Sequence, residues 1–200
     1  MQRGNDRMDI FRCDSDYRVF LAMMREAAER CESDVHGYVL MKTHVHFLMT
    51  PKAATSIERT MQVVGTRYVR YFNRRYDRSG HLFQGPYDSI VVDDERYWIT
   101  CLRYIELNPV RARIVATPDQ YCWSSYAANA LGHHDRLVRP HPRYLELGPD
   151  LEECRRAWRV MCAESLTSEE LDRIRFAIFE NRVNRGLQSS RSCGLVSRAG

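Results

Sequence analysis

Lysine is nearly absent from this chain. Lys42 and Lys52 are the only two among 30 basic residues, so arginine carries the positive charge. Arginine suits bidentate phosphate contact, but an Arg-rich codon usage produces the same bias, so composition alone leaves both readings open. The net charge of +4 is only mildly basic. No apolar run approaches the roughly 18 residues that span a bilayer. Met1 to Phe11 has charges but no apolar stretch, unlike a secretory signal, so a cytoplasmic protein is expected. The seven cysteines are odd in number and form no CxxC pair. That argues against a disulfide framework or a structural zinc site and for reduced, mostly buried thiols. No internal repeat and no low-complexity tract appears.

What is there suffices for one globular domain with a core and a small appendage: 200 residues, 44% hydrophobic and 28% charged. Asp16 to Arg30 has helical periodicity, with Tyr17, Phe20, Leu21, Met24 and Ala28 on one stripe and Asp14, Ser15 or Asp16 as cap. Val35 to Met41 alternates, with Val35, Gly37, Val39 and Met41 on one face. His44 to Thr50 alternates again after Lys42-Thr43, which predicts a β-hairpin ended by Pro51. Ser56 to Tyr76 reads as a long helix broken at Asp77 to Gly80. Ser89 to Val92 reads as a short strand. A helix capped by Asp93 or Asp94 follows to about Leu107, where Asn108-Pro109 stops it.

Further on, Trp123 to Leu131 reads as a short helix and Gly132 to Pro142 as a polar loop, with His133, His134 and His141 at the surface. Leu151 to Ala163 and Ser168 to Asn181 read as terminal helices, and Ser189 to Gly200 as a frayed tail. The pattern predicts an α+β fold: a ferredoxin-like antiparallel sheet with helices on one face, its first strand short or missing, plus C-terminal helices. The expected division is 1–130 for the main domain and 131–200 for a C-terminal loop and helical extension.

Three groups of residues carry candidate chemistry. His44 and His46 are two apart in a strand and share a face, opposite Val45, Phe47 and Met49, so the two imidazoles can chelate one divalent ion. An exposed strand face with two polar rings has the same spacing. Tyr104 and Asn108 are four apart at a helix end and project together. Tyrosine can act as a nucleophile and an amide oxygen can bind a hard cation. A tyrosine at the core edge and a helix-stopping asparagine fit equally. Arg67, Arg70, Arg74 and Arg78 line one face of the long helix with Arg75 at its edge, a stripe able to track a phosphate backbone or simply to be solvated.

In order along the chain, these pieces resemble a known family. Gly37-Tyr38-Val39-Leu40-Met41 with Thr43-His44-Val45-His46-Phe47-Leu48 is similar to the hairpin of the HUH motif (two His flanking a hydrophobic residue). Arg67 to Tyr76, Ser79 to Gly85, Arg103 to Ala112 and Trp123 to Tyr126 resemble the segments that follow it. The family is the REP-associated tyrosine transposases, within the single-tyrosine HUH transposases, and the likeness runs from about Gln2 to about Gly186. It implies a nucleoid-associated, metal-dependent endonuclease and strand transferase for single-stranded or hairpin DNA, monomeric or homodimeric. It implies Mg²⁺ or Mn²⁺ on His44, His46 and Asn108, Tyr104 as nucleophile through a 5′-phosphotyrosine, and DNA contacts from Arg67, Arg70, Arg74, Arg75 and Arg78. Two departures stand out: the first strand is short, and Pro86 and Asp88 replace a usual Arg and Lys. They keep open a second expectation, a catalytically weak DNA-binding remnant.

Overall fold

A computed structural model describes residues 1–92 and 94–193, with side chains described through residue 180. The hairpin forms as its alternation predicts: β2 (Ser33–Met41) pairs antiparallel with β3 (His44–Pro51). Lys42-Thr43 connects them, and neither residue has a positive φ, so the turn is not of the primed type. Its carbonyls are tied from outside instead. Ile10 and Phe11 donate to Lys42, and Gly4 donates to Thr43, which satisfies polar groups the turn leaves unpaired.

A bulge between Val35 and Gly37 breaks the alternation of β2. Val35 therefore joins Tyr38 and Leu40 on one face, rather than Gly37, Val39 and Met41 as strict alternation requires. A bulge inserts one extra residue and resets the pleat. The displaced residue is His36, whose ring bonds the Arg139 carbonyl (2.7 Å) and the Thr50 hydroxyl (2.8 Å).

The first strand, β1 (Gln2–Arg3), is indeed short; it pairs with β3 opposite Val45 and His44, giving the order β1-β3-β2. The strand expected at Ser89–Val92 does not form a ladder. Asp88 and Met1 exchange backbone bonds, but β1 has only two residues to template a neighbour. The sheet among the described residues is thus three-stranded, and β3 beyond Val45 is paired on one side only.

Two helices cover the Val45 face. α1 (Asp14–Arg30) and α2 (Ser56–Arg75) bury Phe20, Met24, Met61, Val64, Tyr68 and Phe72 against Val35, Leu40 and Val45. The opposite face, expected to lie open at His44 and His46, is covered too. Val39, Met41 and Leu48 are apolar there and need a partner. α3 (Glu95–Glu106) supplies it, with Trp98, Cys101, Leu102 and Ile105 buried as their spacing predicts. Gly37 allows the close approach: a Cβ there would sit 2.1 Å from Leu102 Cδ1.

Asp94 caps α3, accepting from the Tyr97 amide; Asp93 lies outside the described residues. α3 stops at Leu107, and a short α4 (Asn108–Arg111) resumes at once, with Pro109 in the first turn where its missing N–H costs nothing. α5 (Tyr126–Leu131) starts later than Trp123 because 123–125 cover the outer edge of β2, with Leu40 donating to the Trp123 carbonyl and Ser125 to that of Tyr38.

The loop after Gly132 is less polar in place than in composition. Leu137 and Val138 are buried, and Arg139 donates to the Val35 carbonyl. His141 is half-buried rather than fully at the surface: its ring stacks on Trp98 with centroids 4.4 Å apart. His133 and His134 are exposed. α6 (Pro142–Leu145), α7 (Leu151–Ala163) and α8 (Ser168–Cys193) complete the fold. α8 continues past the expected Asn181, and residues 194–200, within the segment expected to fray, lie outside the described residues. Cys13, Cys31, Cys101, Cys122, Cys154 and Cys162 are all free.

Candidate active site

The covered face of β3 meets α3 at two histidines and a tyrosine. Strand periodicity aims His44 and His46 the same way, with ring centroids 5.1 Å apart. The Tyr104 ring stands 5.7 Å from that of His46, edge to face. Asn108, buried at the start of α4, lies near enough to the His44 ring to shift its pKa. The structure therefore brings His44, His46, Tyr104 and Asn108 into one cluster, although the sequence links them only in pairs.

The electrostatics of the cluster suit a guest with negative charge or a metal. Burial lowers the His44 pKa to about 4, and the Arg3 guanidinium and the N-terminal ammonium push the same way, against the neighbouring Asn108 side chain, which favours the protonated ring. Burial also holds His46 well below its ordinary value, with the N-terminal charge, His44, Arg3 and Arg111 adding to it. Both rings are thus neutral near pH 7, each with a lone pair to give. The Thr43 hydroxyl lies 3.1 Å from His44 Nδ1, a contact that orients the ring.

Two further residues belong to this site that the spacing arguments passed over. Arg111 lays its guanidinium over the Tyr104 ring, 4.4 Å from the centroid. Its signal was available: 104, 108 and 111 follow an i, i+4, i+7 helical pattern. Arg3 stands opposite His44 in the strand register, which places it on the same face. Among the described residues no three His, Cys, Asp or Glu side chains gather as a metal cage. Any ion here relies on two imidazoles and the Asn108 amide oxygen. These are neutral donors in a positively charged surrounding, and they fit an ion that arrives with an anionic group.

A cavity of about 580 Å³ opens beside Tyr104 and His46 and follows the open side of β3 to Pro51, lined further by Met49, Trp98 and His141. The arginine stripe lies elsewhere. α2 packs on the opposite sheet face, and three of the stripe's arginines are engaged. Arg67 pairs with Glu26 at 2.7 Å and Arg75 with Asp16 at 3.5 Å, while Arg78 lies over Phe72. Arg70 and Arg74 are exposed.

Among known proteins, a family model described as "Transposase IS200 like" matches residues 1–108. No curated protein and no solved structure gives a significant match. The matched segment contains β1, the hairpin, α2 and α3, and ends on Asn108. No helix among the described residues is long and apolar enough to cross a membrane.

Proposed function

Because the chain belongs to the IS200-like transposase family, we propose that it is a metal-dependent, single-tyrosine DNA strand transferase of the HUH type and the REP-associated kind. Its substrate is single-stranded or hairpin DNA. The observation that carries this reading is the meeting of His44, His46, Tyr104 and Asn108 in one cluster.

His44, His46 and Asn108 would hold Mg²⁺ or Mn²⁺, and a bound ion would polarise the scissile phosphate as a Lewis acid. The remaining chemistry belongs to the chain. Arg3 and Arg111 attract the phosphate to the face where Tyr104 stands, and Arg111 also confines the tyrosine ring. Tyr104 Oη attacks phosphorus, the P–O3′ bond breaks, and the phenolic proton ends on the released 3′-hydroxyl by way of solvent. The product is a 5′-phosphotyrosine. Attack by another 3′-hydroxyl reverses these steps and joins strands without an energy cofactor.

The test is a labelled single-stranded hairpin oligonucleotide incubated with the protein and Mg²⁺ or Mn²⁺, then run on a denaturing gel. A covalent adduct is expected, lost on chelation with EDTA and in Tyr104→Phe. Cleavage surviving in Tyr104→Phe would sink the tyrosine mechanism. The two-residue β1 favours a second reading, a remnant that binds hairpins without cutting them. Its signature is a gel shift under native conditions with no adduct.

A further inference from the structure

Glu106 lies on α3 between Tyr104 and Asn108, yet points away from both. It falls four residues after Leu102, on the core stripe, and is fully buried. A carboxylate so placed is costly unless its oxygens are met. Here they are. Glu106 Oε1 accepts from the Ser125 hydroxyl at 2.5 Å and from the Asn129 amide at 2.8 Å, and Oε2 accepts from Trp158 Nε1 at 2.8 Å. Those donors are themselves fixed. Ser125 Oγ accepts from the Tyr38 amide at 2.9 Å, and Asn129 also donates to the His36 carbonyl at 3.1 Å. One side chain thereby ties α3 to β2, α5 and α7 at once.

None of the donors lies in the segment that the family model matches. Ser125, Asn129 and Trp158 all follow residue 108. We infer that Glu106 is a positioning residue for the strand-transfer reaction, and that residues 125–158 act through it to set the rotation and height of α3 against β3. Sliding or turning α3 would carry Tyr104 away from His46 and Asn108 away from His44. The geometry resists both motions. The carboxylate fixes the helix on the side opposite the tyrosine, and Leu102 over Gly37 fixes its distance from the sheet. The inference rests on the proposed role of Tyr104.

Glu106→Gln keeps the shape but sets an NH₂ group against at least one N–H donor, whichever way the amide turns. Trp158→Phe removes one donor and leaves the others. Both variants are assayed in the full chain below their melting transitions. In single-turnover adduct formation at saturating hairpin DNA, Glu106→Gln is expected to slow the chemical step about 10- to 100-fold, the range for a small misplacement of a reacting group. Its dissociation constant for DNA should stay within about twofold, as expected for a residue outside the binding surface, and Trp158→Phe should show a smaller loss in the same step.

A second readout does not need activity. The ring protons of His46 sense the Tyr104 ring beside them, so their NMR shifts should move in Glu106→Gln while those of exposed His133 and His134 stay put. A folded Glu106→Gln with wild-type adduct rate and unmoved His46 resonances overturns the inference. So does a loss that appears wholly as weakened DNA binding. If the wild type forms no adduct, the proposed function fails, and the His46 resonances alone decide whether Glu106 positions α3.

Discussion

Replacing Asp16 by alanine should destabilise the fold far more than a change near a helix start normally does. The side chain is fully buried. One oxygen accepts from the Arg12 amide at 2.8 Å, the Cys13 amide at 3.2 Å and the Tyr76 hydroxyl at 2.7 Å, and the other accepts from the Tyr71 hydroxyl at 3.0 Å. Loss of the bonds that Asp16, in the first turn, accepts from the amides of Arg12 and the N-cap Cys13 costs about 1 kcal/mol. The two hydroxyl bonds to a charged acceptor are worth roughly 1.5 to 3 kcal/mol each when buried, and less here because Tyr71 and Tyr76 reach water. The half-exposed Arg75 pair adds well under about 1 kcal/mol. The sum is about 3 to 4 kcal/mol, a large part of the roughly 5 to 15 kcal/mol that holds a domain.

Urea unfolding at pH 7 measures the loss. An acid arm of the same assay tests the charge. Burial pushes the Asp16 pKa up, but the bonds from Tyr76, Arg12, Tyr71 and Cys13 outweigh it, and the net value lies below 3.8. Between the folded and unfolded values the unfolded chain holds more protons, so stability rises with pH there. The contribution is complete above the unfolded value and vanishes as pH falls through the folded one. Asp16→Asn should lose that part of the acid slope. A deficit under about 1 kcal/mol in Asp16→Ala, set against the bond values above, or an unchanged acid slope in Asp16→Asn, would refute the reasoning.

Gly37→Ala places a methyl 2.1 Å from Leu102 Cδ1 and should cost about 1 to 3 kcal/mol of overpacking, read as a lower melting temperature. Combining it with Leu102→Ala should be less harmful than the two separate losses added. Arg70→Ala and Arg74→Ala should each lower the salt slope of DNA binding by about one, whereas Arg67→Ala, whose guanidinium Glu26 already holds, should lower it less. Arg111→Ala should weaken binding of a short single strand across the site and leave the melting temperature nearly unchanged, checked by fluorescence anisotropy and thermal unfolding.

The hairpin and the long helices were legible because their signal is local. Val45, Leu48 and the stripe of Trp98, Leu102 and Ile105 state their faces by period alone. The bulge at His36 was not legible, since no single residue there demands an insertion and the register is settled by Thr50 and Arg139 from elsewhere. The missing ladder at 89–92 is a matter of partners rather than propensity, because Ile90 and Val92 are good strand formers that pack against the apolar cluster of α3 instead of pairing with a strand. In the candidate site each residue pair was readable from its own element, but their convergence needs α3 laid over β3, a long-range fact. Glu106 was hidden by its surroundings: a carboxylate in an amphipathic helix reads as solvated until its three donors are in place.

The one-sided pairing of β3 past Val45 also has a colloidal consequence. Period-two alternation turns the amides of Phe47 and Met49 toward the uncovered side, and an uncovered strand edge can template a foreign chain. In the native protein that edge lies in the groove lined by residues of α2 and α3. Release of α3 would remove one wall before the hairpin itself melts. If α3 loosens first on warming, light scattering should rise ahead of the loss of sheet signal.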